Sequence, residues 1–302
     1  MSASFRPTAA FAPAHVSGFF EIHDENPDAL RRGSRGAGVC LATGAVSHVT
    51  VETAPAPKLA VFVNGEPDPA PVTSYALRAL LGRSRLAVTV RTELAFPVGQ
   101  GFGMSAAGAL SAALALAKQL GQDRYAAARA AHQAELANRS GLGDVAAALH
   151  GGVAFRRAPG LPPFGAVDRV VADARLLALP MGEGIPTPSV LSDPAARSRV
   201  AAVGSRCVEA FRAQPTLPNL FRVSRQFARD CGFTTPSIER VLSAVESTGG
   251  LALQAMLGTS VVAYGEDTEL LADVLREFGE PLPCEIDEGG ARLLTVEKAP
   301  RT

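Results

Sequence analysis

The segment Pro97-Val98-Gly99-Gln100-Gly101-Phe102-Gly103-Met104-Ser105 is the most informative stretch of this 302-residue chain. Its three glycines alternate between the end of a predicted strand and the start of a predicted helix. A backbone that lacks Cβ atoms at alternate positions comes close to a ligand and turns successive N–H groups toward it. The unpaired N–H groups and the positive dipole end of the following helix also attract anions. The segment therefore predicts a loop that binds phosphate.

Regular patterns flank this loop on both sides. Upstream, every second residue over positions 86–96 is apolar or threonine, which is the period of a half-buried strand. Downstream, residues 106–120 carry leucine and alanine at helical spacing, and Gly121 supplies a stop. Asp123 is a candidate N-cap for a second alanine-rich helix that runs to Asn138. The loop is thus expected to join a strand to a pair of helices.

The rest of the chain mixes strands and helices without a regular alternation. Strands are predicted at residues 46–53, 59–63, 174–179, 259–264, 284–287 and 292–296. Helices are predicted at residues 144–150, 193–213, 219–231, 236–248 and 268–278. This irregular order favours an α+β fold over a doubly wound sheet. Proline and glycine at residues 159–165 predict a link between a first domain at 1–160 and a second at 161–302.

Composition argues against several classes of protein. The 29 basic and 29 acidic residues give a formal net charge of zero, which predicts no attraction to nucleic acid or to an anionic membrane. The four cysteines are scattered, so they are expected to be reduced thiols of a cytoplasmic protein, with a zinc site or disulfide as the alternative. The uncharged alanine-rich run at residues 104–117 is shorter than the roughly 20 residues of a membrane span. Pro7 and Pro13 interrupt any signal-peptide pattern.

Two common phosphate loops do not match the glycine segment. A Walker A loop ends in Gly-Lys-Ser/Thr, and the segment contains no lysine. A dinucleotide fingerprint needs a different glycine spacing and an acidic residue about 20 positions later. Asp123 stands near that distance, but it precedes a helix rather than ending a strand. The remaining alternative is a glycine turn that binds no ligand and uses Ser105 only as a helix N-cap.

The glycine segment resembles a motif of the galactokinase, homoserine kinase, mevalonate kinase and phosphomevalonate kinase (GHMP) family. That motif reads Pro-x-Gly-x-Gly-Leu-Gly-Ser-Ser-Ala, and the departures here are Phe102 and Met104. The resemblance implies a two-domain GHMP kinase fold, with a left-handed βαβ unit in the N-terminal domain and a ferredoxin-like C-terminal domain. It also implies ATP and Mg²⁺ as cofactors. The nucleotide would then contact Pro97, Gly99, Gln100, Gly101, Phe102, Gly103, Met104, Ser105 and Ala106.

Three further family motifs occur in the expected order. The first motif, Ala-Pro-Gly-Lys, is answered by Ala12-Pro13-Ala14-His15. The catalytic-aspartate motif is answered by Ser140-Gly141-Leu142-Gly143-Asp144, with one extra residue before the aspartate, and then by Gly151-Gly152. The glycine-rich third motif is weak, because Met256-Leu257-Gly258-Thr259-Ser260 keeps one glycine.

Within the family, the chain is most similar to the archaeal pantoate kinases. This similarity rests on residues 12–20, 33–38, 99–105, 141–145 and 255–258. It implies that ATP phosphorylates the 4-hydroxyl of pantoate in coenzyme A biosynthesis. The expected partner is a small-molecule substrate, with no nucleic acid and no membrane, and a homodimer is one candidate assembly.

The resemblance also implies roles for single residues. Ser105 and Glu135 are the implied ligands of Mg²⁺, which prefers hard oxygen atoms. Asp144 is the implied general base or orienting group for the attacking hydroxyl, although an aspartate here could instead be a simple helix cap. His15 replaces the family lysine and could contact substrate or phosphate, or be a core histidine with satisfied hydrogen bonds.

The carboxylate of pantoate needs a cationic partner, and an arginine fork matches its geometry. Arg35, which stands between glycines, is the preferred candidate, with Arg139 and Arg156 as reserves. Ser17 is a further substrate-side candidate, together with His15 and Asp144.

Two alternatives to a pantoate kinase stay open at this point. The chain could phosphorylate another small alcohol, such as homoserine or mevalonate. It could also be a non-catalytic sensor of nucleotide or metabolite on the same fold. Met104 in place of serine and the weak third motif favour the sensor, whereas the joint presence of Ser105, Glu135 and Asp144 favours an enzyme.

Overall fold

The computed structural model describes residues 5–182 and 193–295. The helices of these ranges are Pro71–Leu81 (α1), Met104–Gln119 (α2), Arg124–Asn138 (α3), Asp144–His150 (α4), Pro194–Ala213 (α5), Leu217–Cys231 (α6), Pro236–Ser247 (α7) and Thr268–Arg276 (α8). The strands are Thr8–His23 (β1), Gly33–Thr53 (β2), Lys58–Val63 (β3), Glu66–Pro67 (β4), Leu86–Leu94 (β5), Val153–Ala158 (β6), Ala166–Val170 (β7), Arg175–Leu179 (β8), Leu251–Gln254 (β9), Val261–Tyr264 (β10), Leu282–Glu285 (β11) and Arg292–Leu294 (β12). The predicted α+β class is confirmed.

One large sheet carries the first half of the chain, with strand order β12-β1-β2-β5-β3-β4 and with β6 and β7 beside the start of β2. The long strands β1 and β2 pair antiparallel and shift register at two bulges. Strands β3 and β5 are parallel and are joined through α1, which forms the βαβ unit that the family resemblance implies. Helices α1, α2 and α3 pack against one another, and α2 also lies on β1 and β2.

A smaller antiparallel sheet, with strand order β11-β8-β10-β9, carries the second half. Along the chain, the helices α5, α6 and α7 lie between β8 and β9, and α8 lies between β10 and β11. This βαββαβ order, with the first strand beside the last, is the ferredoxin-like arrangement. The implied C-terminal fold is therefore observed.

Strand pairing differs from the predicted domain boundary at residue 160. Strand β7 pairs with β6, and β12 returns near the C-terminus to pair with β1, so the first sheet includes both. The proline-rich segment 159–165 is the connection between β6 and β7 of one sheet, and not a link between domains. Its backbone stays close to the body of the protein, since the Leu161 N–H donates to the Leu30 carbonyl at 3.0 Å.

Several strands were longer than the sequence pattern predicted. Strand β1 and the first part of β2, over residues 33–45, had no predicted element. Residues 9–20 of β1 are buried without interruption, so they show no alternation of apolar and polar residues. The predicted strand at 292–296 is observed over Arg292–Leu294, and residue 296 lies outside the described residues.

Helix α2 begins two residues earlier than predicted and is buried almost throughout. Its alanines and single glycine let it lie close to the large sheet and to both neighbouring helices. One continuous apolar cluster reaches from β1 and α2 into α5, α6 and β9, so the two halves share a core. Among residues 5–182 and 193–295, no helix is both long and apolar enough to cross a bilayer.

An aromatic pair anchors the phosphate-loop candidate to the end of β5. The rings of Phe96 and Phe102 are buried and stack with centroids 4.1 Å apart and planes 10° apart. Because Phe102 stands between two loop glycines, this stack fixes the middle of an otherwise flexible turn.

We expect Phe102→Ala to lower the free energy of unfolding by about 3–5 kcal/mol, because the substitution removes a buried ring and leaves a cavity. Phe102→Leu is expected to lose less, because more of the volume is kept. Val98→Ala, at a neighbouring side chain that is 57% exposed, is the control and should change little. Denaturant unfolding measures all three, and equal stability of Phe102→Ala and the parent would contradict the anchoring role.

Candidate active site

The glycine loop at residues 97–103 forms one wall of a cleft of about 250 Å³. Gly99, Gly101 and Gly103 have φ angles of 88°, 91° and 63°, values that side chains with a Cβ rarely adopt. The space beside Gly99 is open, whereas a Cβ at Gly101 would lie 2.7 Å from the Ala255 carbonyl oxygen. The loop is therefore pressed against the protein on one side and open to a ligand on the other.

Helix α2 points its N-terminus into this cleft. Gly103 is the N-cap and provides no side-chain hydrogen bond, so the first N–H groups of the helix are left without a capping partner. Ser105 was an N-cap candidate in the alternative reading, but it lies inside the first turn and lines the cleft with Met104 and Ala106. A helix end of this kind favours an anion such as phosphate.

The opposite wall combines residues from distant parts of the sequence. The cleft is lined by Ser17, Phe20, Ser34, Val98, Gly99, Gly101, Gly103, Met104, Ser105, Ala106, Asn138, Ser140, Gly141, Leu142, Gly143, Asp144, Met256 and Leu257. Of the residues predicted to contact nucleotide, Pro97, Gln100 and Phe102 are not in the lining and support the loop from outside the cleft. The Gln100 side chain donates to the Gly182 carbonyl at 3.0 Å.

Two carboxylates meet at the glycine turn after α3. Glu135 is buried, and its Oε1 accepts a hydrogen bond of 3.3 Å from the backbone N–H of Asp144. A Cβ at Gly141 would lie 2.3 Å from Glu135 Oε1 and 2.7 Å from Asp144 Oδ2. The positions of both acidic side chains therefore require a residue without a Cβ at Gly141, which itself lines the cleft.

The two carboxyl groups have opposite shifts in pKa. Burial raises the pKa of Glu135 well above its usual value, and the negative charge of Asp144 raises it further. Burial also acts to raise the pKa of Asp144, but the hydrogen bond from His15 and the positive charge of Arg156 outweigh it, and the net pKa is lowered. Asp144 is thus held as a carboxylate at neutral pH.

His15 and Arg156 lie behind Asp144 in the core. Asp144 Oδ1 is 2.6 Å from His15 Nδ1, and His15 Nε2 is 3.3 Å from Arg156 Nη1. His15 is 1% exposed and Arg156 is 2% exposed, so neither lines the cleft. Of the two sequence interpretations for His15, the arrangement matches a hydrogen-bonded histidine in the core, and a role in contacting substrate or phosphate stays a prediction.

The residues present fit a Mg²⁺ ion. Glu135 Oε2 is buried without a hydrogen-bond partner, and the Ser105 side chain faces the cleft from the start of α2. Among the described residues, no group of three or more His, Cys, Asp or Glu side chains could hold a metal by itself. Mg²⁺ commonly uses one or two carboxylates together with water and the oxygens of a bound phosphate, so it would be shared with a nucleotide here.

The structure does not bring Arg35 to the cleft. Arg35 forms ion pairs with Glu21 at 3.3 Å and with Glu209 at 3.1 Å. Its neighbour Ser34 lines the cleft instead, because successive residues of a strand point to opposite faces of the sheet. The reserve candidate Arg139 forms the C-cap of α3 and is not in the lining.

The sequence indicated residues 256–260 of the second half only as a weak motif and did not predict that they line the cleft. Met256 and Leu257 line the cleft, and the Met256 N–H donates to the Ser17 carbonyl at 2.9 Å. Gly258 lies against the phosphate loop, since a Cβ there would be 2.3 Å from the Gln100 carbonyl oxygen. The one glycine kept from the weak third motif was the signal, because it marks a close approach of two backbones.

The chain is similar to known proteins over nearly its whole length. Residues 72–152 match the family described as GHMP kinases N terminal domain. Pantoate kinase of Methanospirillum hungatei is 33% identical over 297 residues, which cover 96% of this chain and 97% of the relative. Pantoate kinase of Thermococcus kodakarensis is 33% identical over 268 residues, covering 86% and 88% of the two chains. A solved structure described as a phosphotransferase related to the CoA biosynthesis pathway is 30% identical, covers 95% of this chain and 98% of its own, and has a TM-score of 0.87.

We expect Gly141→Ala to disrupt the site by pushing the two carboxylates apart. A displacement of about 1 Å at reacting groups can cost on the order of 10²-fold in rate, so turnover should fall at least that far. Gly108→Ala is the matched control, because a Cβ at that position in α2 would approach no atom closer than 3.5 Å. Equal turnover of the two variants in a steady-state kinase assay would show that the close approach at Gly141 does not matter.

Proposed function

Because the chain belongs to the pantoate kinase family of GHMP kinases, we propose that it transfers the γ-phosphoryl group of ATP to pantoate in coenzyme A biosynthesis. The observation that carries this proposal is the placement of a phosphate-binding loop opposite Asp144 in one cleft. Near-full-length relatives with this activity support the choice of substrate.

We propose that the triphosphate lies along the glycine loop, with phosphate oxygens near the N-terminus of α2. Its charge is met by backbone N–H groups and the helix dipole, because the loop contains no lysine or arginine. When bound, Mg²⁺ would supply positive charge that offsets the negative charge on the transferred phosphoryl group. Ser105 and Glu135 are the proposed protein ligands, and the unpartnered Oε2 of Glu135 supports this assignment.

Asp144 is proposed to orient the attacking hydroxyl and to take its proton. The pantoate O–H bond breaks, a new O–P bond forms at the γ-phosphorus, and ADP leaves as the bond to the β-phosphate oxygen breaks. Asp144 Oδ2 is the proposed acceptor, since Oδ1 already receives a hydrogen bond from His15. A carboxylate with a lowered pKa orients a hydroxyl well and holds a proton only briefly.

Arg156 takes the place of Arg35 as the proposed partner of the substrate carboxylate. It is buried beneath the cleft, and its guanidinium hydrogen-bonds the Ser17 hydroxyl through Nη2 at 3.5 Å and His15 through Nη1 at 3.3 Å. Within the described residues it forms no ion pair with an acid. Ser17 and Ser34 present hydroxyl groups to the cleft in front of this charge. An anion at this position would gain from a buried positive charge that little water screens.

We also propose a cytoplasmic location, as the composition predicts. All four cysteines are free and buried, which suits a reducing compartment. We further propose Mg²⁺ as the metal ion and ATP as the nucleotide. A homodimer is the candidate assembly, and light scattering of the purified protein distinguishes it from a monomer.

Purified protein with ATP and Mg²⁺ should phosphorylate pantoate in preference to homoserine or mevalonate. The expected product is one ADP and one phosphopantoate per turnover, measured by coupled assay and mass spectrometry. Turnover of homoserine or mevalonate with none of pantoate would reassign the substrate. Binding of ATP by calorimetry without turnover of any of the three alcohols would favour the sensor.

We expect Asp144→Asn to lower kcat by about 10²–10⁴-fold, because the amide orients the hydroxyl poorly and takes no proton. ATP affinity should be nearly unchanged, since the phosphates are held by the loop. Asp168→Asn, at a half-exposed surface ion pair with Arg157, is the matched control and should keep full activity. Unchanged turnover in Asp144→Asn would remove Asp144 from the chemistry.

A further inference from the structure

Three side chains from three separate elements form one hydrogen-bonded line into the cleft. Arg156 on β6 contacts His15 on β1 at 3.3 Å, and His15 contacts Asp144 on α4 at 2.6 Å. The first two are almost fully buried, and the side chain of Asp144 is 20% exposed. The line therefore runs from the core to the ligand side of the cleft.

The chemistry of the guanidinium fixes which nitrogen of His15 carries the proton. Arginine has only N–H donors and no acceptor, so His15 Nε2 must accept from Arg156 Nη1. The remaining proton of a neutral imidazole then lies on Nδ1, which donates to Asp144 Oδ1. Burial lowers the pKa of Arg156, but a guanidinium stays protonated in proteins.

We infer that His15 is a positioning residue, held by Arg156 as the neutral Nδ1–H tautomer, that aims the carboxylate of Asp144 at the acceptor hydroxyl. This inference rests on the proposed function. His15 stands where the family motif has a lysine, and the buried positive charge beside it belongs to Arg156.

The surroundings of His15 support a neutral ring. Asp144 faces it from α4 and Arg156 from β6. On β2, Cys40 is its cross-strand partner, and burial raises the pKa of that thiol, so it adds no charge. The bare backbone of Gly38 lies beside the ring, where a Cβ would lie 2.4 Å from His15 Nε2. Glu135 lies on the far side of Asp144, toward α3. Burial lowers the pKa of His15, and its hydrogen bond to Asp144 opposes but does not overcome this effect.

The same residue also sets the distance between Asp144 and the phosphate loop. The His15 backbone N–H donates to the Phe102 carbonyl at 3.0 Å, and a Cβ at Gly103 would lie 3.1 Å from the His15 carbonyl oxygen. The main chain of His15 thus contacts the loop, and its side chain contacts Asp144. A proton taken by Asp144 cannot pass to His15, because Nδ1 already carries one and Nε2 is occupied.

Long-range ¹H–¹⁵N NMR correlation on the ¹⁵N-labelled full chain reads the tautomer directly. His15 should show the Nδ1–H form at every pH from about 5 to about 8, where an unperturbed histidine titrates. Its signals are identified by their loss in His15→Asn. An Nε2–H tautomer or an imidazolium would overturn the inference. This measurement needs no turnover, so its failure is distinct from failure to phosphorylate pantoate.

Kinetics of two His15 variants test the positioning role. His15→Leu removes the donor to Asp144 and should lower kcat by about 10²-fold with little change in the KM for ATP. His15→Asn offers an amide N–H in place of Nδ1–H and should recover part of that loss. The same two substitutions at His48, which is exposed on β2, are the matched controls. Equal losses in both His15 variants, with both folded by thermal unfolding, would contradict the role.

Arg156→Met tests the selection of the tautomer. Removing the donor and the nearby positive charge should raise the pKa of His15, so that Nε2 takes up a proton as the pH falls toward neutrality. Arg156→Lys keeps a donor and a charge and should retain more of the Nδ1–H signal. An unchanged NMR pattern in Arg156→Met would show that another group selects the tautomer.

Discussion

The contact between β1 and the phosphate loop is the constraint on which the rest of the cleft depends. The backbone N–H of His15 donates to the carbonyl of Phe102, while the His15 ring bonds Asp144. His15, in the middle of the buried strand β1, therefore connects both walls of the cleft. Because that strand is hydrogen-bonded along nearly its whole length, the two walls are held at a fixed distance by the sheet itself.

Charge at this site is arranged in layers. Arg156 and the neutral ring of His15 lie behind Asp144, whose carboxylate lines the cleft, and Glu135 is buried beside Asp144. Burying these charges costs free energy unless each is compensated. Arg156 and His15 stabilise Asp144 as an anion, whereas Glu135 keeps one oxygen unpartnered and a raised pKa. That imbalance is what a cation shared with a phosphate would relieve.

Both halves of the chain build the cleft. The loop around Gly258 packs on the back of the phosphate loop, and Met256 is tied to the strand that carries Ser17. The apolar core continues from α2 to α6 without a break. The contact between the phosphate loop and the loop around Gly258 is made by close approach of the two backbones at glycine positions. A side chain at Gly101 or Gly258 would therefore separate the two loops.

Local sequence alone determined the strand, glycine turn and helix around residues 97–105, because alternation, glycine spacing and helical periodicity are all short-range signals. The family resemblance named Ser17, Ser105 and Asp144 as site residues, and all three line the cleft. Only the tertiary structure decided the long strand β1, which is buried on both faces and therefore shows no alternation. It likewise decided that Arg35 turns away to Glu21. It also decided that Arg156 pairs with His15, since a contact between residues 141 positions apart leaves no trace in local pattern.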